Sequence, residues 1–176
     1  MDATFNPHSD FKPLVKTLDS YCFGCSPTNK AGLQMKFQAG DDSVISRLSI
    51  PLHLCGWKNI VHGGILATIL DETMSWSTIH LLKRVVLTTS ITVDYLKPVF
   101  AETDIVSQGK VLERTSEREA IMQAAIYNRE GEICVKSQGT FRLFTPDAAR
   151  KLKLMSDDIL SDFEQFIQVK PDMNQP

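Results

Sequence analysis

The chain lacks an excess of either charge: 19 Lys and Arg stand against 21 Asp and Glu, a net charge of −2. That near balance gives no footing to a nucleic-acid or membrane-surface partner. No basic segment followed by an apolar core lies near the N-terminus, so a secretory signal is not expected. Four cysteines without an export signal are expected as reduced thiols in the cytoplasm. A long uninterrupted apolar run is missing too. The most apolar stretch, Ile65 to Leu82, is broken by Asp71, Glu72 and His80, which excludes a membrane span. There is no internal repeat and no linker long enough to split the chain.

What is present is one organising stretch, Asn59 to Leu82. From Ile65 onward it is apolar on nearly every side, which predicts a helix enclosed by other elements. Gly63 and Gly64 open it after His62, and Asp71 sits in its middle. An ionisable group on a buried helix costs on the order of several kcal/mol unless it is paired or used. Asp71 and Glu72 therefore mark a candidate functional site.

Upstream, Phe11, Leu14, Val15 and Leu18 recur at helical spacing and predict a short amphipathic helix docked on the body. Tyr21 to Leu33 is rich in turn formers and reads as loop. Leu33, Met35 and Phe37 alternate with polar residues, and Gly40-Asp41-Asp42 turns the chain into a second strand, Val44 to Ile50. Pro51 to Val61 reads as loop. Downstream of the helix the period becomes two. Strands are predicted over Val85 to Tyr95, Asp104 to Glu113, Arg118 to Tyr127 and Glu132 to Phe144, with turns at Arg114 to Glu117 and Asn128 to Gly131. Thr145-Pro146 has the form of a helix start, and a last amphipathic helix carries Ile159, Leu160, Phe163, Phe166 and Ile167. Two strands, a long helix and a meander of four antiparallel strands predict an α+β fold. In it, an antiparallel sheet of five or six strands curls around the helix.

His62-Gly63-Gly64, with Asp71 nine positions after the histidine and the strands that follow, resembles the hotdog-fold acyl-CoA thioesterases of the phenylacetate-pathway type. Cys22-Phe-Gly-Cys25, Asn29, Gly32-Leu33 and Gly56-Trp57 resemble one branch of that superfamily. The likeness runs from Tyr21 to Phe144. It implies a hotdog domain over residues 21–145, beside a docking helix over 1–20 and a helical extension and tail over 146–176. It also implies homodimers whose sheets join edge to edge, with pairing of dimers left open. The implied activity is hydrolysis of an acyl-CoA to a carboxylate and free coenzyme A, with no cofactor beyond the coenzyme A of the substrate.

Thioester hydrolysis needs an activated water or a carboxylate nucleophile, and donors for the oxyanion that forms. Asp71 suits the first role. The backbone N–H groups of Gly63 and Gly64, expected to be unpaired at the head of a helix, suit the second. Along one helix Gly63 and Asp71 are separated by about 12 Å. Both cannot touch one thioester carbon, so the glycines of one subunit must meet the aspartate of another, giving two equivalent sites per dimer. Asp71 shares its stripe with Gly64, Ala67, Ser75 and Thr78, all small. Glu72 shares a bulkier one with Ile65, Thr68, Trp76 and Ile79. Asp71 is thus the expected catalytic acid and Glu72 a flanking substrate contact.

His62 is expected either to bond substrate or to hold the turn. Thr88, ten residues before Pro98, matches where the family often places a hydroxyl near the acid, with Thr89 and Ser90 as register alternatives. Some relatives carry an asparagine six residues before the histidine; here Gly56 stands there, and Asn59 is the nearest amide. Arg114, Arg118 and Lys97 are candidates for a basic rim around the phosphates of coenzyme A. Met74, Trp76, Trp57 and Phe100 are candidates for the acyl pocket.

Cys22 and Cys25 admit a zinc reading with His53 and Cys55, but the second pair lacks zinc-site spacing, and no metal is expected. A redox role would need a βαβ context that is missing. The competing function is a sensor that binds acyl-CoA without turnover. Asp71 favours chemistry.

Overall fold

The computed structural model describes residues 10–14 and 21–168. In chain order the elements are β1 (Lys12–Pro13), β2 (Phe37–Ala39), β3 (Val44–Ser49), β4 (Cys55–Trp57), β5 (Ile60–Val61), the helix α1 (Gly63–Leu82), β6 (Val85–Tyr95), β7 (Asp104–Ser116), β8 (Glu119–Tyr127), β9 (Ile133–Phe144), α2 (Pro146–Lys151) and α3 (Asp157–Gln168). Among the described residues, seven strands form one antiparallel sheet in the order β1-β2-β3-β7-β8-β9-β6. The hairpin β4–β5 stands apart from it. This is the hotdog architecture, with one strand more than the five or six expected because the two-residue β1 extends the edge.

Alternation makes the inner face of the sheet. Ala120, Met122, Ala124 and Ile126 of β8 and Val135, Phe141 and Leu143 of β9 are buried, and α1 lays Leu66, Ile69, Leu70 and Met74 against them. The helix packs tightly on Gly109 of β7, where an added Cβ would stand 2.6 Å from Ser77 Oγ and 3.0 Å from the Thr73 carbonyl oxygen. Small hydroxyl residues allow this approach. Thr73, Ser77 and Thr78 are fully buried and return their hydroxyls to the carbonyls of Ile69, Thr73 and Met74 at 2.7, 2.7 and 2.8 Å. Their polar groups are thereby satisfied within the helix.

Several expectations change. The helix is not enclosed on every side: Gly64 is exposed, and Ala67, Asp71 and Ser75 are only half-buried, on the side the sheet leaves open. Thr78, counted with them, is in the core. Trp76 and Met74 belong to the core as well. The Trp76 ring stacks on Phe37 at 5.3 Å and meets Phe166 of α3 edge-on at 5.7 Å. The sheet order also differs from a four-strand meander. β7 pairs with β3, and β6 lies beside β9 at the far edge. Alternation identifies a strand, whereas its neighbour is fixed by non-local pairing that carries no local signal.

At the N-terminus, Phe11 to Leu14 is extended. Lys12–Pro13 is an edge strand, and Leu14 N–H donates to the Phe37 carbonyl at 2.9 Å. An edge position tolerates the missing N–H of Pro13. Val15 and Leu18 lie outside the described residues. At the other end, Thr145 caps α2 by accepting from Ala148 N–H at 3.2 Å, with Pro146 in the first helical position as expected. No described helix is long and apolar enough to cross a membrane.

Candidate active site

The head of α1 is built by a histidine. His62 is the N-cap residue, and its Nδ1 accepts from Gly64 N–H at 2.9 Å. A neutral ring with Nδ1 as acceptor carries its proton on Nε2. The Gly64 amide is therefore engaged, and the pair of open amides expected at this terminus reduces to one. Among the described residues nothing accepts from Gly63 N–H. Gly63 is fixed from its other side: the Tyr95 hydroxyl donates to its carbonyl at 2.9 Å. An added Cβ on Gly63 would lie 3.3 Å from that hydroxyl, and one on Gly56 would lie 3.2 Å from His62 Cδ2. Gly56 thus leaves room for the imidazole where an amide side chain would crowd it.

This helix head opens into a cleft of about 620 Å³ whose walls include Trp57, His62, Gly63, Tyr95 and Lys97. Trp57 is largely exposed, so its ring is available to a ligand. Asp71 and Thr88 do not line this cleft.

Asp71 sits two turns further along α1, on the half-open side. The Thr88 hydroxyl, from β6, donates to Asp71 Oδ1 at 2.7 Å. Burial raises the Asp71 pKa above the usual carboxylate value, the Thr88 bond opposes that, and negative charge on Cys22 adds to it. Of the three register alternatives on β6, Thr88 is thus the one beside the acid. Thr89 turns its hydroxyl to the Thr140 carbonyl at 2.8 Å, next to a bulge in the β6–β9 pairing.

Glu72 points elsewhere. The loop carrying Cys22 and Cys25 folds over it, and Cys22 Sγ shares a hydrogen bond of 3.1 Å with Glu72 Oε1. Burial first, and the Cys22 charge second, push the Glu72 carboxyl up to about 7. Hydrogen bonding from Cys25 pulls the Cys22 thiol down to about 4. Glu72, expected as a flanking substrate contact, is bonded to a cysteine 50 residues away in sequence.

The remaining candidates lie around this frame. Asn59 is in the β4–β5 turn, with its carbonyl accepting from Ala101 N–H at 2.8 Å. Lys97 pairs with Glu132 at 2.7 Å at the rim of the cleft. Arg118 is exposed in the β7–β8 turn, its carbonyl bonded to Leu143 N–H at 2.9 Å. Arg114 pairs with Glu117 at 2.6 Å near that turn. Since Leu143 faces Val86 at the start of β6 and Lys97 follows its end, Lys97 and Arg118 stand about 30 Å apart. They do not form one rim within one chain. Tyr95 carries no sequence signal for its contact with Gly63: it is simply the last residue of an alternating strand.

Residues 58–135 match the family model described as the thioesterase superfamily. No curated protein matches the sequence. Among solved structures, the chain is similar to a thioesterase superfamily protein at 20% identity and TM-score 0.65, over 69% of this chain and 60% of that one. It therefore spans less than two thirds of that relative's length. It is also similar to the E. coli PaaI protein from the phenylacetic acid degradation operon, at 15% identity and TM-score 0.57, over 64% of this chain and 80% of that one. A third match is a hypothetical thioesterase from Streptococcus pneumoniae TIGR4 solved with coenzyme A, at 20% identity and TM-score 0.58, over 63% and 86%. Variants of that pneumococcal protein with an aspartate or a threonine replaced by alanine match as well. At these identities the likeness is one of fold. This chain carries its Asp71–Thr88 pair at the middle of α1 and its open glycine amide at the head.

Proposed function

We propose that the protein hydrolyses an acyl-CoA thioester to a carboxylate and free coenzyme A, as a homodimer in the cytoplasm. The observation that carries this reading is the Thr88–Asp71 bond of 2.7 Å on the half-open side of α1. A hydroxyl that fixes one carboxylate oxygen leaves the other for a water molecule. Asp71 then acts as general base: it takes the proton as the water oxygen bonds to the thioester carbon, and the carbonyl electrons move onto oxygen. Gly63 N–H, open and at the positive end of the helix, donates to that oxyanion. His62 holds the turn that presents it. Collapse of the intermediate breaks the carbon–sulfur bond, and the thiolate of coenzyme A leaves with the proton.

Two observations support a site shared between copies. The cleft at Gly63 excludes Asp71, in keeping with about 12 Å of helix between them. β6 is an open sheet edge of 11 residues, with Leu87 to Ser90 exposed in the single chain. A second copy pairing antiparallel along β6 brings its Gly63 end toward Asp71 of the first. The same two-fold brings Lys97 of one copy toward Arg118 of the other, forming the basic rim that one chain cannot. Coenzyme A in the pneumococcal relative, and the aspartate and threonine varied there, agree in chemical kind with this assignment.

The test is release of free thiol from a panel of short, long and aromatic acyl-CoA substrates. Wild type should release thiol, and Asp71→Asn should be slower by about 10²- to 10⁴-fold while still binding coenzyme A. Binding without release by wild type would instead identify a ligand sensor.

A further inference from the structure

The hydrolysis proposed above leaves the loop over Glu72 without a role. Its shape is determined by the glutamate: a Cβ on Gly24 would fall 2.2 Å from Glu72 Cγ, so only glycine lets the chain cross there. The loop is tied in place by its own backbone. Ser26 N–H donates to the Cys22 carbonyl at 3.1 Å, Leu33 N–H to Phe23 at 2.8 Å and Met35 N–H to Gly24 at 2.9 Å. Within it, Cys25 N–H points at Cys22 Sγ at 3.4 Å. An amide aimed at the first sulfur of a C-x-x-C turn stabilises a thiolate, which is the form that binds a cation.

We infer that Cys22, Cys25 and Glu72 form a zinc site, with two thiolates and one carboxylate as protein ligands and a fourth position left for solvent. The two Sγ atoms and a Glu72 carboxylate oxygen all lie within 4.8 Å of one another. Tetrahedral zinc needs such ligands about 3.4–3.8 Å apart, given metal–ligand distances of ~2.0–2.3 Å. Side-chain rotation on a loop already in place closes that difference. Two soft sulfurs with one oxygen select Zn²⁺ over Mg²⁺ or Ca²⁺, which take oxygen ligands. His53 and Cys55, weighed as partners of the cysteine pair and lacking zinc-site spacing, are not in the cluster. Glu72 comes from the middle of α1, so the ion would staple the loop of residues 21–35 to the helix one residue from Asp71. The assignment stands on the cluster itself and does not depend on the hydrolase reading.

The experiment is Co²⁺ binding to the full chain, made metal-free with a chelator and kept reduced. Wild type should take up about one equivalent, with sulfur-to-cobalt charge-transfer absorption in the near ultraviolet and the visible bands of a tetrahedral ion, and Zn²⁺ should bleach both. Elemental analysis of protein purified without chelator should find zinc. Cys22→Ser should abolish the charge-transfer band. Glu72→Gln should weaken Co²⁺ binding at least about ten-fold, and Cys55→Ser should leave the spectrum unchanged. Three results would overturn the site: no cobalt absorption in reduced wild type, a Glu72→Gln affinity equal to wild type, or loss of the bands in Cys55→Ser. Because the wild-type spectrum is itself decisive, a variant that fails to fold does not shelter the proposal. Hydrolysis is assayed separately, so loss of activity and loss of metal remain distinct outcomes.

Discussion

Thr88 of β6 and Asp71 of α1 are joined by a 2.7 Å hydrogen bond that crosses from the open edge strand to the middle of the helix. It links the one acid facing the open side of the helix to the strand a second copy would pair with.

Thr88→Val separates the two effects on the Asp71 carboxyl. Burial raises its pKa and the threonine bond lowers it; Cys22 and Glu72 are the other titratable groups coupled to it. Removing the bond leaves burial unopposed, so Asp71 stays protonated to higher pH. A general base works ionised, and the acid limb of the kcat/KM profile should therefore move to higher pH in Thr88→Val. At the plateau a loss of about ten-fold is expected, the size of one hydrogen bond to a charged group. The profile is to be recorded in protein treated with chelator, so that no cation near Cys22 shifts the limb. An acid limb that stays in place would remove Asp71 from the base role.

Tyr95 tests the helix head. Its hydroxyl bonds the Gly63 carbonyl at 2.9 Å and so fixes the plane of the peptide next to the open amide. Tyr95→Phe should lower stability by about 1 kcal/mol, the net value of one such bond. It should lower kcat by roughly the same free energy, about five-fold, with KM nearly unchanged. Denaturant unfolding and steady-state thiol release measure the two. A rise in KM alone would show Tyr95 contacting substrate rather than positioning Gly63.

Packing between helix and sheet gives a prediction independent of function. Gly109→Ala places a methyl group 2.6 Å from Ser77 Oγ and 3.0 Å from the Thr73 carbonyl oxygen, where both helix atoms are fully buried. The helix must shift, at a cost of about 1–3 kcal/mol in unfolding free energy. The double variant with Ser77→Ala removes the nearer obstacle and should recover part of that loss. Additive losses would mean that the helix does not approach β7 there.

The parts of this fold legible in the sequence are those with a local cause. Alternation located β6 to β9, a threonine before a proline located the start of α2, and the glycine pair located the head of α1. The stripe argument separated Asp71 from Glu72 because neighbours on a helix diverge by about 100°. What stayed hidden depends on contacts distant in sequence. Nothing near Val85 to Tyr95 says that this strand borders β9 rather than β7. Trp76 lies on a bulky stripe, but only the position of Phe37 and Phe166 decides that the stripe is core. The Cys22–Glu72 contact joins two segments 50 residues apart through the shape of Gly24, and nothing local to either segment announces it. The capping of Gly64 by His62 is local, and holding the turn was one of the two roles expected of that histidine.

A shared site makes a demand that a self-contained one does not. If Asp71 of one copy works with Gly63 of another, Asp71→Asn and Gly63→Val each disable both sites of their own homodimer, for different reasons. Mixed in equal amounts under conditions that exchange subunits, they form about half heterodimers, and each heterodimer holds one intact site. The mixture should recover about a quarter of wild-type activity, although each parent alone retains at most about a hundredth of it. Gly63→Val is chosen because its side chain would press on the Tyr95 ring, already 3.4 Å from a Cβ there, and displace the amide without touching Asp71. Light scattering on the mixture must show dimers. Dimers that recover nothing would place the whole site within one chain, and with about 12 Å between its two parts the hydrolytic role of Gly63 would fall.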